Sequence, residues 1–87
     1  MQSLYLSNNN IIYINKILFT DLRNLIYLDL SYNKIETIQT GCFDLLINLE
    51  SVILKNNEIK SLNFLDGEQT LSISRLILSE NLIINIS

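Results

Sequence analysis

The sequence predicts an α/β solenoid, a right-handed curved array of about 3.6 repeats with a parallel β-sheet on its concave face. Three observations carry this expectation. Asn9, Asn33, Asn57 and Asn81 recur at a constant spacing of 24 residues. Five apolar columns keep step with them: Met1, Leu25, Leu49, Ile73; Leu4, Leu28, Val52, Leu76; Leu6, Leu30, Leu54, Leu78; Ile11, Ile35, Ile59, Ile83; and Ile14, Ile38, Leu62, Ile86. Finally, Leu4-Tyr5-Leu6, Leu28-Asp29-Leu30, Val52-Ile53-Leu54 and Leu76-Ile77-Leu78 carry the two-residue side-chain period of strands. The units run 1–24, 25–48 and 49–72, with a partial unit 73–87, and together make one domain over 1–87.

The strands come first in each unit. One face of each points to the core and the other outward. Neighbouring parallel strands sit about 4.8 Å apart. The returning segments are bulkier and cannot pack so closely, so the stack is expected to curve with the strands inside. The asparagine follows each strand, where the chain turns and leaves backbone polar groups buried. An amide side chain offers donors and an acceptor together. Asn9, Asn33, Asn57 and Asn81 are therefore expected to form a structural ladder, each serving the turn of its own unit and that of the next.

The unit Leu25-Ile-Tyr-Leu28-Asp-Leu30-Ser-Tyr-Asn33-Lys-Ile35-Glu-Thr-Ile38 resembles the leucine-rich repeat consensus LxxLxLxxNxLxxL. Phe19, Leu22 and Leu25, then Phe43, Leu46 and Leu49, resemble the second half of the 24-residue "typical" class, and Thr40-Gly41-Cys42-Phe43 looks like its xGxF element. The resemblance covers the whole chain. It implies that Phe19 and Phe43 stack as a spine on the convex side. Cys42 stands where the preceding unit has Leu18 and is expected to be a buried small hydrophobe. The third unit departs from the pattern: Gly67 stands where Phe is expected and Thr70 where Leu is expected. Phe64, Leu65 and Leu71 are the apolar residues available to fill the gap, so the stretch 63–72 is expected to be locally rearranged.

In a solenoid the outward positions of the concave sheet are the default binding surface. Here they read Ser3, Tyr5, Ser7, Asn8; Tyr27, Asp29, Ser31, Tyr32; Ser51, Ile53, Lys55, Asn56; and Arg75, Ile77, Ser79, Glu80. Tyrosine favours interfaces. Tyr5, Tyr27, Ile53 and Ile77 are expected to form an apolar-aromatic patch flanked by Asp29, Lys55 and Arg75, with Ser31 and Tyr32 beside it. Asp29 and Lys55 should make a weak surface pair.

Composition excludes much of the alternative chemistry. The chain has 87 residues, a formal net charge of -3, no histidine and one cysteine. Without histidine there is no Ser-His or Cys-His pair, and the carboxylates are scattered, so no catalytic residue is expected. Neither a metal site nor a cofactor site is expected, for want of Cys/His clusters, an oxygen-rich loop or a glycine-rich phosphate loop. Lys16, Arg23, Lys34, Lys55, Lys60 and Arg75 are dispersed, against the basic patch that nucleic acid needs. No apolar run approaches the ~18 residues of a membrane span, and Met1-Gln2-Ser3-Leu4 does not open like a signal peptide.

The expected function is a protein-binding repeat module. The resemblance implies a receptor, adhesion or matrix-type protein, extracellular or at the cell surface. The alternatives are a substrate-selecting or regulatory segment of a larger intracellular enzyme, or a truncated fragment, cytoplasmic if the chain is complete as written. The family's cysteine-rich caps are absent from both ends, so self-association or fraying through apolar ends is expected.

Overall fold

The computed structural model describes residues 2–66 and 73–83. Each unit contributes one short strand: β1 (Ser3–Tyr5), β3 (Tyr27–Asp29), β5 (Ser51–Ile53) and β6 (Arg75–Ile77). Two further strands, β2 (Tyr13–Ile14) and β4 (Thr37–Ile38), follow the turns of the first and second units. All pairings are parallel, in a four-stranded sheet ordered β1-β3-β5-β6 and a two-stranded sheet β2-β4. The register places Leu4, Leu28, Val52 and Leu76 side by side, so the expected column is a physical row across the sheet.

Strand pleating sends this row inward. Leu28, Leu30, Val52 and Leu54, in the two inner units, are 0% exposed, while Leu4, Leu6, Leu76 and Leu78 at the sheet edges are only partly buried. A unit is completed by its neighbours, as stacking predicts.

The chain leaves each strand through a residue of positive φ: Asn8, Tyr32, Asn56 and Glu80, at 56 to 59°. This left-handed step turns the backbone toward the second sheet and sets the ladder asparagine immediately after it. Asn8 and Asn56 suit the conformation, because asparagine visits it more readily than most residues.

The ladder runs opposite to the expected direction. The Asn33 amide donates to Leu30 O (2.9 Å) and Ser31 O (3.2 Å) in its own turn and to Leu6 O (3.0 Å) in the preceding unit. Its Oδ1 accepts from the backbone N–H groups of Asn9 (3.1 Å) and Ile11 (3.2 Å). Asn57 likewise serves its own turn and reaches back to Leu30 O and Ile35 N, and Asn81 to Leu54 O and Ile59 N. The partner is thus the previous unit, not the next. The amide lies on the side of its turn that faces backward along the stack, toward carbonyls already pointing at it. Asn9 serves only its own turn among the described residues.

Across from the sheet, the helical content is 3₁₀ rather than α among the described residues: Lys16–Phe19 and Asn63–Asp66. The Asn15 side chain caps the first by accepting from Ile17 N at 3.1 Å. Gly41 has a φ of +73°, and a Cβ there would lie 2.9 Å from Asp44 Oδ2, which explains glycine at this position.

Phe19, Phe43 and Phe64 form one buried spine. Ring centroids lie 5.8 Å apart for the first pair and 6.2 Å for the second, which meets edge to face. The third unit therefore supplies its phenylalanine three positions before the expected Gly67. A 3₁₀ turn has about three residues, so a shift of three keeps the same face. Leu65 packs against the core as well. Gly67, Thr70 and Leu71 lie outside the described residues.

Cys42 is fully buried in this core. Burial, and secondarily the Asp44 charge, push its thiol pKa from 9.0 up to about 12. It packs as an apolar side chain and is not a thiolate nucleophile.

Candidate protein-binding face

The outward face of the four-stranded sheet is organised by the same register that builds the core. Ser3, Tyr27, Ser51 and Arg75 form one rank; Tyr5, Asp29, Ile53 and Ile77 form the next. Tyr5 and Tyr27 sit diagonally, with ring centroids 5.5 Å apart and planes inclined by 47°. Ile53 and Ile77 are direct neighbours.

The expected single patch is divided. Asp29 stands in the same rank between Tyr5 and Ile53, not beside the patch. An aromatic pair occupies the first two units and an aliphatic pair the last two, with a carboxylate between them. Two strand spacings, about 10 Å, separate Tyr5 from Ile53.

Asp29 is fixed from below. Its Oδ1 accepts from Ser31 Oγ at 2.7 Å and from Ser31 N at 3.0 Å. Ser31 is itself buried, so it holds the carboxylate and offers no surface to a partner. The pair expected between Asp29 and Lys55 does not form. The Lys55 ammonium lies 6.0 Å from the centroid of the Tyr32 ring instead, a cation–π contact. Tyr32 occupies the left-handed turn that follows its strand.

Tyr5 is 65% exposed and Tyr32 46%; Arg75 is exposed; Tyr27, Asp29, Ile53, Lys55 and Ile77 are half-buried. The face thus presents aromatic and aliphatic surface to solvent, with Asp29 between its two apolar spots and three further charges, Lys55, Arg75 and Glu80, on the second half of the array. Sequence reading placed these residues on one face but missed that Asn8, Tyr32, Asn56 and Glu80 share the left-handed conformation. The Asn-Asn pairs at 8–9 and 56–57 were the available signal.

Elsewhere, among the described residues, no cluster of three or more His, Cys, Asp or Glu side chains could hold a metal ion, and no helix is long and apolar enough to cross a membrane.

Units of one short parallel strand, a left-handed turn and a hydrogen-bonded asparagine, stacked on an aromatic spine, define a strand-bearing repeat protein. The family described as Leucine rich repeat matches residues 1–59. The chain belongs to the leucine-rich repeat family, whose solenoid-like repeats serve as protein-binding modules. No curated protein matches the sequence.

Proposed function

We propose that this chain binds a protein ligand on the outward face of the four-stranded sheet, which forms the concave side of a curved array. The observation that supports this reading is the pairing of surface Tyr5 with Tyr27 and of Ile53 with Ile77 on that face. Aromatic and branched apolar side chains ringed by charge are the composition of a protein-binding hot spot. Asp29, immobilised by Ser31, adds a fixed acceptor between the two apolar spots. A ligand matching this face carries two apolar contacts about 10 Å apart and a donor between them.

The setting we propose is a receptor, adhesion or matrix-type protein, extracellular or at the cell surface. It rests on the likeness of the second unit, including Gly41 and Phe43, to the 24-residue class.

The test is partner capture by the immobilised chain, with Tyr27→Glu/Ile53→Glu compared against a control change at Lys60, which is exposed and lies outside the four-stranded sheet. The reading expects capture of a defined partner to be lost in the double variant and kept in the control, with both folded by circular dichroism. Equal capture by the double variant contradicts it.

A further inference from the structure

Among the described residues, Asp29 has no cationic partner. It stands on β3, an inner strand with β1 on one side and β5 on the other, so its neighbours across the sheet all belong to this chain. The cation nearest by register is Lys55, on the next strand and two residues further along, and its ammonium lies over the Tyr32 ring. Arg75 lies two strands away.

Half of the Asp29 carboxylate is already engaged. Oδ1 accepts from Ser31 Oγ at 2.7 Å and from Ser31 N at 3.0 Å, which fills its two lone-pair positions. Oδ2 accepts no bond among the described residues. The group is thus held in one orientation with one oxygen free, and at half burial its charge is screened less than on the open surface. An arginine fork grips a carboxylate through both oxygens, and here one of them is taken. A compact ammonium needs only the other.

Two tyrosines stand beside this carboxylate. Tyr5 is its direct neighbour across the β1–β3 pair, about 4.8 Å away. Tyr27 lies two residues earlier on the same strand and the same face, roughly 6.6 Å away. The two rings meet with centroids 5.5 Å apart. A cation bound over Asp29 therefore lies in cation–π range of the pair, about 6 Å, and the apolar bodies of the rings can cover the methylene stem that carries it.

We propose that Asp29, Tyr5 and Tyr27 form a seat for a lysine side chain of the protein ligand, with Asp29 Oδ2 accepting from the ammonium and the tyrosines packing along the stem. The inference rests on the protein-binding reading of the outward face and names the donor that this reading leaves open. The ligand's first apolar contact and its donor then belong to one residue, and the second apolar contact falls on Ile53 and Ile77.

Titration of the chain with Nα-acetyl-lysine methylamide, read by NMR at the tyrosine ring protons, tests this. The Tyr5 and Tyr27 rings should shift saturably, while Tyr13, on the other sheet, should not. The norleucine analogue, which keeps an alkyl stem and lacks the ammonium, should give no saturable shift, and the arginine analogue should bind several-fold more weakly. These comparisons need no variant. Asp29→Asn keeps an oxygen for the Ser31 bonds and removes the charge, so affinity for the lysine compound should fall at least tenfold. Unchanged affinity in Asp29→Asn, an equal response to norleucine, tighter binding of arginine, or no saturable shift with lysine each overturns the proposal. Its failure is separate from that of the wider reading. If Tyr27→Glu/Ile53→Glu abolishes partner capture while lysine gives no response, the lysine seat is overturned and the binding face stands. A saturable lysine response that Asp29→Asn removes supports the seat even where the double variant still captures its partner.

Discussion

The side-chain amide of Asn57 donates to the backbone carbonyl of Leu30, 27 residues earlier in the chain, at 3.0 Å. Leu30 O also accepts from Asn33, so one carbonyl receives two successive ladder asparagines. Leu6 O and Leu54 O are shared in the same way. The amides and these carbonyls form one unbroken chain through the turns, in a region where Asn33 and Asn57 are buried. Removing Asn57 leaves the Ile35 N–H without its acceptor, and removing Asn33 does the same to the N–H groups of Asn9 and Ile11, while each shared carbonyl keeps one donor; an unmade bond in such a place costs more than a made one contributes.

Asn33→Ala and Asn57→Ala should therefore each destabilise the fold by roughly 1–3 kcal/mol. Asn9→Ala should cost well under about 1 kcal/mol, because its side chain is exposed and bonds only within its own turn. Urea unfolding of the three variants checks the gradient. Equal losses at positions 9 and 57 would contradict it.

How much of this was legible in the sequence follows from the periodicity. The 24-residue spacing fixed the register, so the inward and outward ranks were readable position by position. The direction of the ladder was not, because one amide beside two turns has the same composition whichever way it reaches. The division of the surface patch was hidden for a different reason. Which residues share a rank depends on the register between strands, and Asp29 falls between Tyr5 and Ile53 only once Tyr5, Asp29 and Ile53 are aligned. Phe64 was visible as a candidate for the gap at Gly67, but its place in the spine required the 3₁₀ turn that brings it round.

Phe64→Ala should destabilise by about 3–5 kcal/mol, as large-to-small changes in a packed core do. Were Phe64 a surface side chain of a drifting loop, the loss would be under about 0.5 kcal/mol. Thermal or urea unfolding separates the two.

Gly41→Ala should destabilise by about 1–2 kcal/mol, since the residue is left-handed and the added Cβ meets Asp44. In an Asp44→Ala background only the contact is relieved. Most of the loss should persist there, because the backbone conformation is its larger cause.

Cys42 makes stability fall at high pH. Its folded pKa is raised, so the native state favours the neutral thiol. The contribution is complete below pH 9.0, where the unfolded thiol is also neutral, and declines as pH rises from 9.0 toward about 12. Cys42→Ala should flatten this part of the pH–stability curve. At pH 8 the native thiol should resist a thiol-specific reagent until the chain unfolds. Rapid labelling of folded protein would contradict the burial.

The most direct test of the ladder is amide hydrogen exchange at Ile35, whose N–H donates to Asn57 Oδ1 at 3.0 Å. In the unaltered chain this amide should exchange only through large-scale opening of the stack. In Asn57→Ala its protection should fall further than that of core-strand amides such as Val52, and the Ile59 amide, held by Asn81, should follow the global change alone. Equal changes at Ile35, Val52 and Ile59 would mean that Asn57 merely adds to overall stability and does not tie the second unit to the third.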